Sequence, residues 1–78
     1  MKLQPDYARM SDGALVRRRK RLERWYKRVD AAYAAYASRE KYDPHKLVWL
    51  ANERYIIFLL VLRTIYEQRD RALRWFTG

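Results

Sequence analysis

Leu15, Leu22, Val29 and Tyr36 recur at every seventh residue, and no proline or glycine interrupts the chain from Ala14 to Glu40. A period of seven held over four repeats keeps apolar side chains on one side of a helix, whereas a half-buried strand needs a period of two. Trp25, Tyr26, Ala32 and Tyr33 fill intermediate positions of the same seam. Ser11 precedes it as an N-cap, because its hydroxyl can accept from an orphan backbone N–H, and Asp12 in the first turn suits the helix dipole. The pattern predicts a first helix over about residues 12–40, preceded by an extended or partly ordered arm over residues 1–10 that carries Pro5.

A single break follows. Asp43 caps a new helix, and Pro44 occupies its first turn, where a fixed φ and a missing N–H cost nothing. The pattern gives a turn over 41–43 and a second helix over about 44–76, with Gly78 last. Val48, Ala51, Tyr55, Phe58, Leu62, Ile65, Arg69, Ala72 and Phe76 follow alternating spacings of three and four, and the spacing predicts that these form its seam. So short a connection makes the helices antiparallel neighbours. The expected fold is all-α, one antiparallel two-helix hairpin.

That hairpin is not expected alone. The centre of the second helix reads YIIFLLVL over 55–62 and is apolar on every side, while one partner helix covers one stripe. The expectation is a homodimer forming a four-helix bundle, with Trp49, Ile56, Ile57, Leu60 and Val61 at the interface. The AAYAAYA run over 31–37 offers small residues where backbones can approach closely.

Charge carries the functional reading. Lys and Arg total 18 against 9 Asp and Glu, a net charge of +9. Eight of those basic residues lie between Gly13 and Arg28 with only Glu23 against them. At 100° per residue, Arg17, Arg21, Arg24 and Arg28 fall in one stripe opposite the seam, widened by Lys20 and Lys27. Successive arginines rise ~5 Å, near the phosphate spacing of a nucleic acid strand, and guanidinium forks suit phosphate and carboxylate alike. Like charges at i,i+4 disfavour a helix slightly, so a merely solvated face more often mixes signs. The second helix does mix them: Glu67 can pair with Arg63 and Arg71, and Asp70 with Arg74. Arg18 and Arg19 flank the seam and Arg69 lies in it, so each needs a carboxylate nearby. Tyr7 in the arm, with Trp75 and Phe76 at the far end, are expected contact residues; the other aromatics are read mainly as core.

Several classes are excluded. A chain of 78 residues without cysteine has no disulfide framework and no thiolate metal site. His45 is the lone histidine, without a companion ligand, so no metal or cofactor is expected. Neither a glycine-rich phosphate loop nor a nucleophile with a spaced base appears, so no catalytic residue and no small-molecule substrate is expected. The first fifteen residues lack the apolar core of a signal peptide, and the eight-residue apolar run is far short of a membrane span of about 20, so the reading is a cytoplasmic protein without integral membrane insertion.

No family motif is matched residue for residue. In size and architecture alone the chain resembles small helical-hairpin dimers, among them RNA-binding regulators and phage-encoded inhibitors of host machinery, and it takes no residue role from them. The expected function is a non-enzymatic inhibitor or regulator that docks on an acidic surface of a larger host complex, as a phage anti-host or anti-CRISPR-like factor would. A nucleic-acid-binding dimer that uses the stripe on phosphates is the alternative, and a basic amphipathic element on an anionic membrane surface the third.

Overall fold

The computed structural model describes residues 6–77, with the side chain of Thr77 left aside. Half of the expected arm, residues 1–5, and Gly78 lie outside the described residues. The rest is helical throughout: a short 3-10 turn over Tyr7–Arg9, α1 over Asp12–Ala37 and α2 over Pro44–Thr77. Ser11 caps α1 as expected, its Oγ accepting from the Ala14 N–H at 3.1 Å. Asp43 caps α2, its Oδ1 accepting from the His45 N–H at 2.9 Å. The first helix ends three residues earlier than expected. Ser38 Oγ there donates to the Ala34 carbonyl at 2.7 Å, and the Asp43 N–H donates to Tyr36 Oη at 2.8 Å, which draws the connection back onto the helix. Lys46 Nζ and the Arg39 guanidinium lie over the Tyr36 ring at 4.9 and 5.0 Å and close this end of the hairpin.

The two helices pack antiparallel. Along α1 the cross-helix partners Asp12, Arg19 and Asp30 rise in number while their α2 partners Arg71, Gln68 and Arg54 fall. The α1 seam lies where the sevenfold pattern puts it, with Leu15, Leu22 and Tyr36 buried and Val29 half-buried.

On α2 the seam differs from the expected one by one position, a rotation of about 100°. The residues turned toward α1 are Leu47, Leu50, Arg54, Ile57, Val61, Thr64, Gln68 and Arg71, of which Leu50, Ile57 and Thr64 are buried and the others half-buried. Of the expected set, Val48, Tyr55, Phe58 and Ile65 are exposed instead, as is Arg69, which therefore needs no buried carboxylate. The reason is polar pairing. Arg54 Nη1 reaches Asp30 Oδ1 at 3.0 Å with its guanidinium 4.2 Å above the Tyr33 ring, and Arg19 Nη1 donates to Gln68 Oε1 at 2.6 Å. A helix that is apolar all round has no single preferred side, so these charge-assisted contacts select one. Ile57, expected to face a second copy, is consequently 1% exposed inside the hairpin's own seam, and Leu60 and Val61 are half-covered there.

The N-terminal turn is also more ordered than an arm. Tyr7, expected as an outward contact residue, is 4% exposed. The guanidinium groups of Arg18 and Arg63 lie over its ring at 5.6 and 5.9 Å, and its Oη accepts from Arg18 Nε at 3.2 Å. That contact replaces the expected Arg63–Glu67 pair. Glu67 pairs with Arg71 at 3.0 Å as expected and with Arg74 at 3.5 Å. Arg74 Nε reaches the Asp70 carbonyl, not its carboxylate.

The hairpin is long and thin. Its radius of gyration is 16.1 Å, against about 11.5 Å for a compact chain of this length. Among the described residues the buried apolar core is Tyr7, Leu15, Leu22, Tyr36, Leu50 and Ile57, while α2 alone leaves eleven large hydrophobic side chains exposed. No helix among the described residues is long and apolar enough to cross a membrane.

Candidate functional site

α1 is amphipathic in an unusual sense. Its inner face is apolar and its outer face is cationic, because Arg17, Arg21, Arg24 and Arg28 stand about 180° from Leu15, Leu22 and Val29. All four are exposed, and so are Lys20 and Lys27 on the flank. The ordered helix fixes their heights: from Arg17 to Arg28 the stripe rises about 16 Å at 1.5 Å per residue.

The carboxylates are elsewhere. Among the described residues Asp6 pairs with Arg9, Glu23 with Arg19, Asp30 with Arg54, Asp12 with Arg71, and Glu67 with Arg71 and Arg74. None of the six stripe residues is in an ion pair or side-chain hydrogen bond. A stripe of six cations without a carboxylate is held apart only by water and salt, so an acidic ligand meets no internal competitor there. The neighbouring arginines Arg18 and Arg19, by contrast, are half-buried and turned inward to Tyr7 and Gln68. The run RRRKR over 17–21 thus divides into two structural arginines and three cations on offer.

One functional feature was hidden in the sequence reading. Trp25, placed with the seam, stands about 50° from the line through Leu22 and Val29 and is 46% exposed. It lines a shallow groove with Trp49, Asn52, Glu53, Ile56 and Ile57 of α2, on the side of α1 where Arg21 and Arg28 stand. Trp25 and Tyr26 flank the line through Leu22 and Val29 at equal angles, so the helical wheel does not separate them; the placement of α2 makes Tyr26 the one that packs, against Phe58 at 6.3 Å between ring centroids. Other aromatics read as core are exposed too: Tyr42, Tyr55, Tyr66 and Trp49 each keep between 47% and 60% of their surface. Trp75 and Phe76, expected as contact residues, are 79% and 78% exposed and stack edge-on at 5.2 Å.

The outer edges of the hairpin differ in kind. The outer face of α1 is cationic, and the outer face of α2, also opposite the shared seam, carries the exposed Val48, Tyr55, Leu59 and Tyr66. Arg71 pins the open end between them: its guanidinium donates to Asp12 and Glu67 carboxylates and to the Tyr7 and Met10 carbonyls. Those carboxylates, Asp12 first, hold its pKa above the usual arginine range. No family model, no curated protein and no solved structure matches this chain.

Proposed function

We propose that the protein acts by binding, not by catalysis, as an inhibitor or regulator that docks the outer face of α1 on an acidic surface of a larger protein complex. The observation that carries this reading is the set of six exposed cations beside an exposed tryptophan, none of the six in an ion pair with a carboxylate among the described residues. Protein interfaces draw their energy from buried aromatic and arginine anchors, and Trp25, Trp49 and Ile56 supply an apolar groove beside Arg21 and Arg28. Phosphates of a nucleic acid need the cations but not that groove.

The nucleic-acid reading keeps one specific support, the straight stripe with arginines ~5 Å apart in height. A membrane-surface reading has less. It asks α1 to bury its apolar face in the headgroup layer, and that face, with Leu15 and Leu22, is already buried against α2. The working form in this reading is a homodimer of four helices, in which α2 is covered and both α1 faces stay free.

The test is a variant with Arg17, Arg21, Arg24 and Arg28 all changed to Gln, examined alongside wild type in two assays. The first is photo-crosslinking from position 20 in nuclease-treated lysate, followed by mass spectrometry. The second is binding of a labelled duplex of about 20 base pairs across a salt series. Wild type is expected to crosslink to a protein through an acidic segment, and the variant to lose that product. Tight duplex binding whose log K falls with log salt at roughly −0.9 per phosphate, with no protein product, would replace this reading by the nucleic-acid one.

A further inference from the structure

We infer that a second copy of this chain covers the outer face of α2 in antiparallel register, so that the dimer is a flat four-helix layer with a basic face on each of its two opposite edges. It is a two-sided connector. The part of this inference that concerns the edges rests on the reading of α1 as an anion-binding face; the part that concerns α2 does not.

Three observations place the second copy there. First, α2 carries two seams. The inner one is used by α1, and on the opposite side Val48, Tyr55, Leu59, Leu62 and Tyr66 follow spacings of seven, four, three and four. Val48, Tyr55, Leu59 and Tyr66 are 58%, 59%, 44% and 51% exposed.

Second, the area fits. The chain exposes 6567 Å². A compact chain of 9.6 kDa exposes roughly 5,100 Å², so the excess is roughly 1,500 Å². A stable interface takes about 800 Å² from each partner, less than that excess.

Third, the outer seam is self-complementary only in one direction. Centred between Leu60 and Val61, an antiparallel pair sets Leu59 against Leu62 of the partner subunit and Tyr55 against Tyr66 of the partner subunit. Arg69 then meets Asn52 of the partner subunit. A parallel pair in register would set Arg69 against its own copy, a like-charge contact on the dimer axis.

The geometry follows from the hairpin. Because α1 packs on α2 opposite this face, the order across the dimer is α1, α2, then α2 and α1 of the second copy. At 8–10 Å between neighbouring axes, the two α1 helices lie about 25–30 Å apart and their cationic stripes point away from each other. One dimer therefore holds two acidic partners on opposite sides. An enclosed bundle with both stripes on one surface would hold one.

The absence of cysteine makes the register directly testable. Tyr55→Cys and Tyr66→Cys copies, mixed and oxidised, are expected to form a disulfide dimer, and Tyr55→Cys alone to form little. Sedimentation of wild type at about 10 µM is expected to give twice the 9.6 kDa chain mass. Leu59→Glu is expected to give the single-chain mass with its helical circular dichroism kept. Ile56→Glu, on the flank, is expected to leave the dimer whole.

For the edges, two colours of bead coated with poly-L-glutamate are mixed with protein. Wild type is expected to pair beads of unlike colour at least several-fold more often than Leu59→Glu, which still binds each bead singly. A single-chain mass for wild type, a dimer that Leu59→Glu leaves intact, or equal disulfide yield from Tyr55→Cys alone overturns the antiparallel pairing. A dimer that binds beads without pairing them overturns the two-edged arrangement. If neither protein binds beads while the mass stays double, the anion-binding reading of α1 falls and the α2 pairing stands.

Discussion

Arg71 joins more of the chain than any other side chain described. It reaches Asp12 at the start of α1, Glu67 one turn back on α2, and the carbonyls of Tyr7 and Met10 in the preceding turn. The side chain is one-fifth exposed, so it ties the open end of the hairpin without being sealed in it. Carboxylate partners raise its pKa, Asp12 contributing most. A raised pKa on a base gives stability that is present below the unfolded value and lost only as pH rises through the folded one. For an arginine that window lies in strong alkali, so the tie holds throughout the neutral range. Arg71→Met is expected to free the N-terminal turn: hydrogen exchange at Arg9 and Met10, whose N–H groups donate to Asp6 and Tyr7 carbonyls, should become fast while the centre of α2 stays protected. Unchanged protection at both would show that the Tyr7 ring under Arg18 and Arg63 suffices to hold the turn.

Thr64 makes the opposite case. It is 0% exposed at the middle of the seam, yet its Oγ1 donates at 2.6 Å to the Val61 carbonyl of its own helix. A hydroxyl satisfied locally asks nothing of α1. Thr64→Val keeps the shape and removes a polar atom together with its bond, so urea unfolding is expected to show stability unchanged or raised, within about 1 kcal/mol. A loss of 2 kcal/mol or more would mean that the hydroxyl serves a contact across the seam.

At the scale of the helices, the sequence was legible where it contained contrast. α1 alternates one apolar stripe with a cationic one, so its inward face could be read from period and charge alone. The caps were legible for the same reason, Ser11 and Asp43 being among the few residues suited to satisfy orphan N–H groups. α2 lacks contrast: with apolar residues on every side, spacings of three and four can be drawn through several stripes. The stripe apolar at every position but Arg69 was the tempting one, and the seam formed instead through Arg54, Thr64, Gln68 and Arg71. Hydropathy penalises those residues, but Asp30, Arg19 and Asp12 on α1 give three of them partners. Only the relative height of the two helices reveals those pairings, and that height is set by tertiary packing. The rotation is open to a direct test at neighbouring positions. Ile57→Ala should cost about 2–5 kcal/mol, because it opens a cavity in the seam, whereas Ile56→Ala should cost under about 1 kcal/mol at a site already 56% exposed. Equal costs would return the helix to the expected orientation.

For the whole molecule, the imbalance of surface is what matters most. Six buried apolar side chains, among the described residues, face thirteen large hydrophobic ones that stay exposed, and the shape is too extended for the hairpin to shield them by itself. In the proposed dimer, mass action ties folding to concentration. For a chain of 78 residues folding as a pair, an unfolding enthalpy of about 0.7 kcal/mol per residue gives roughly 110 kcal/mol per dimer. Each tenfold increase in protein concentration contributes about 1.4 kcal/mol to the paired state, which moves the thermal midpoint upward by about 4–5 °C. The expectation for wild type is a midpoint that climbs by about 8–10 °C from 1 to 100 µM, while Leu59→Glu melts lower and at a midpoint indifferent to concentration. A wild-type midpoint that stays fixed over that hundredfold range would mean that the hairpin folds alone. The outer face of α2 would then be an exposed apolar surface awaiting a different protein, and no longer the seam of a dimer.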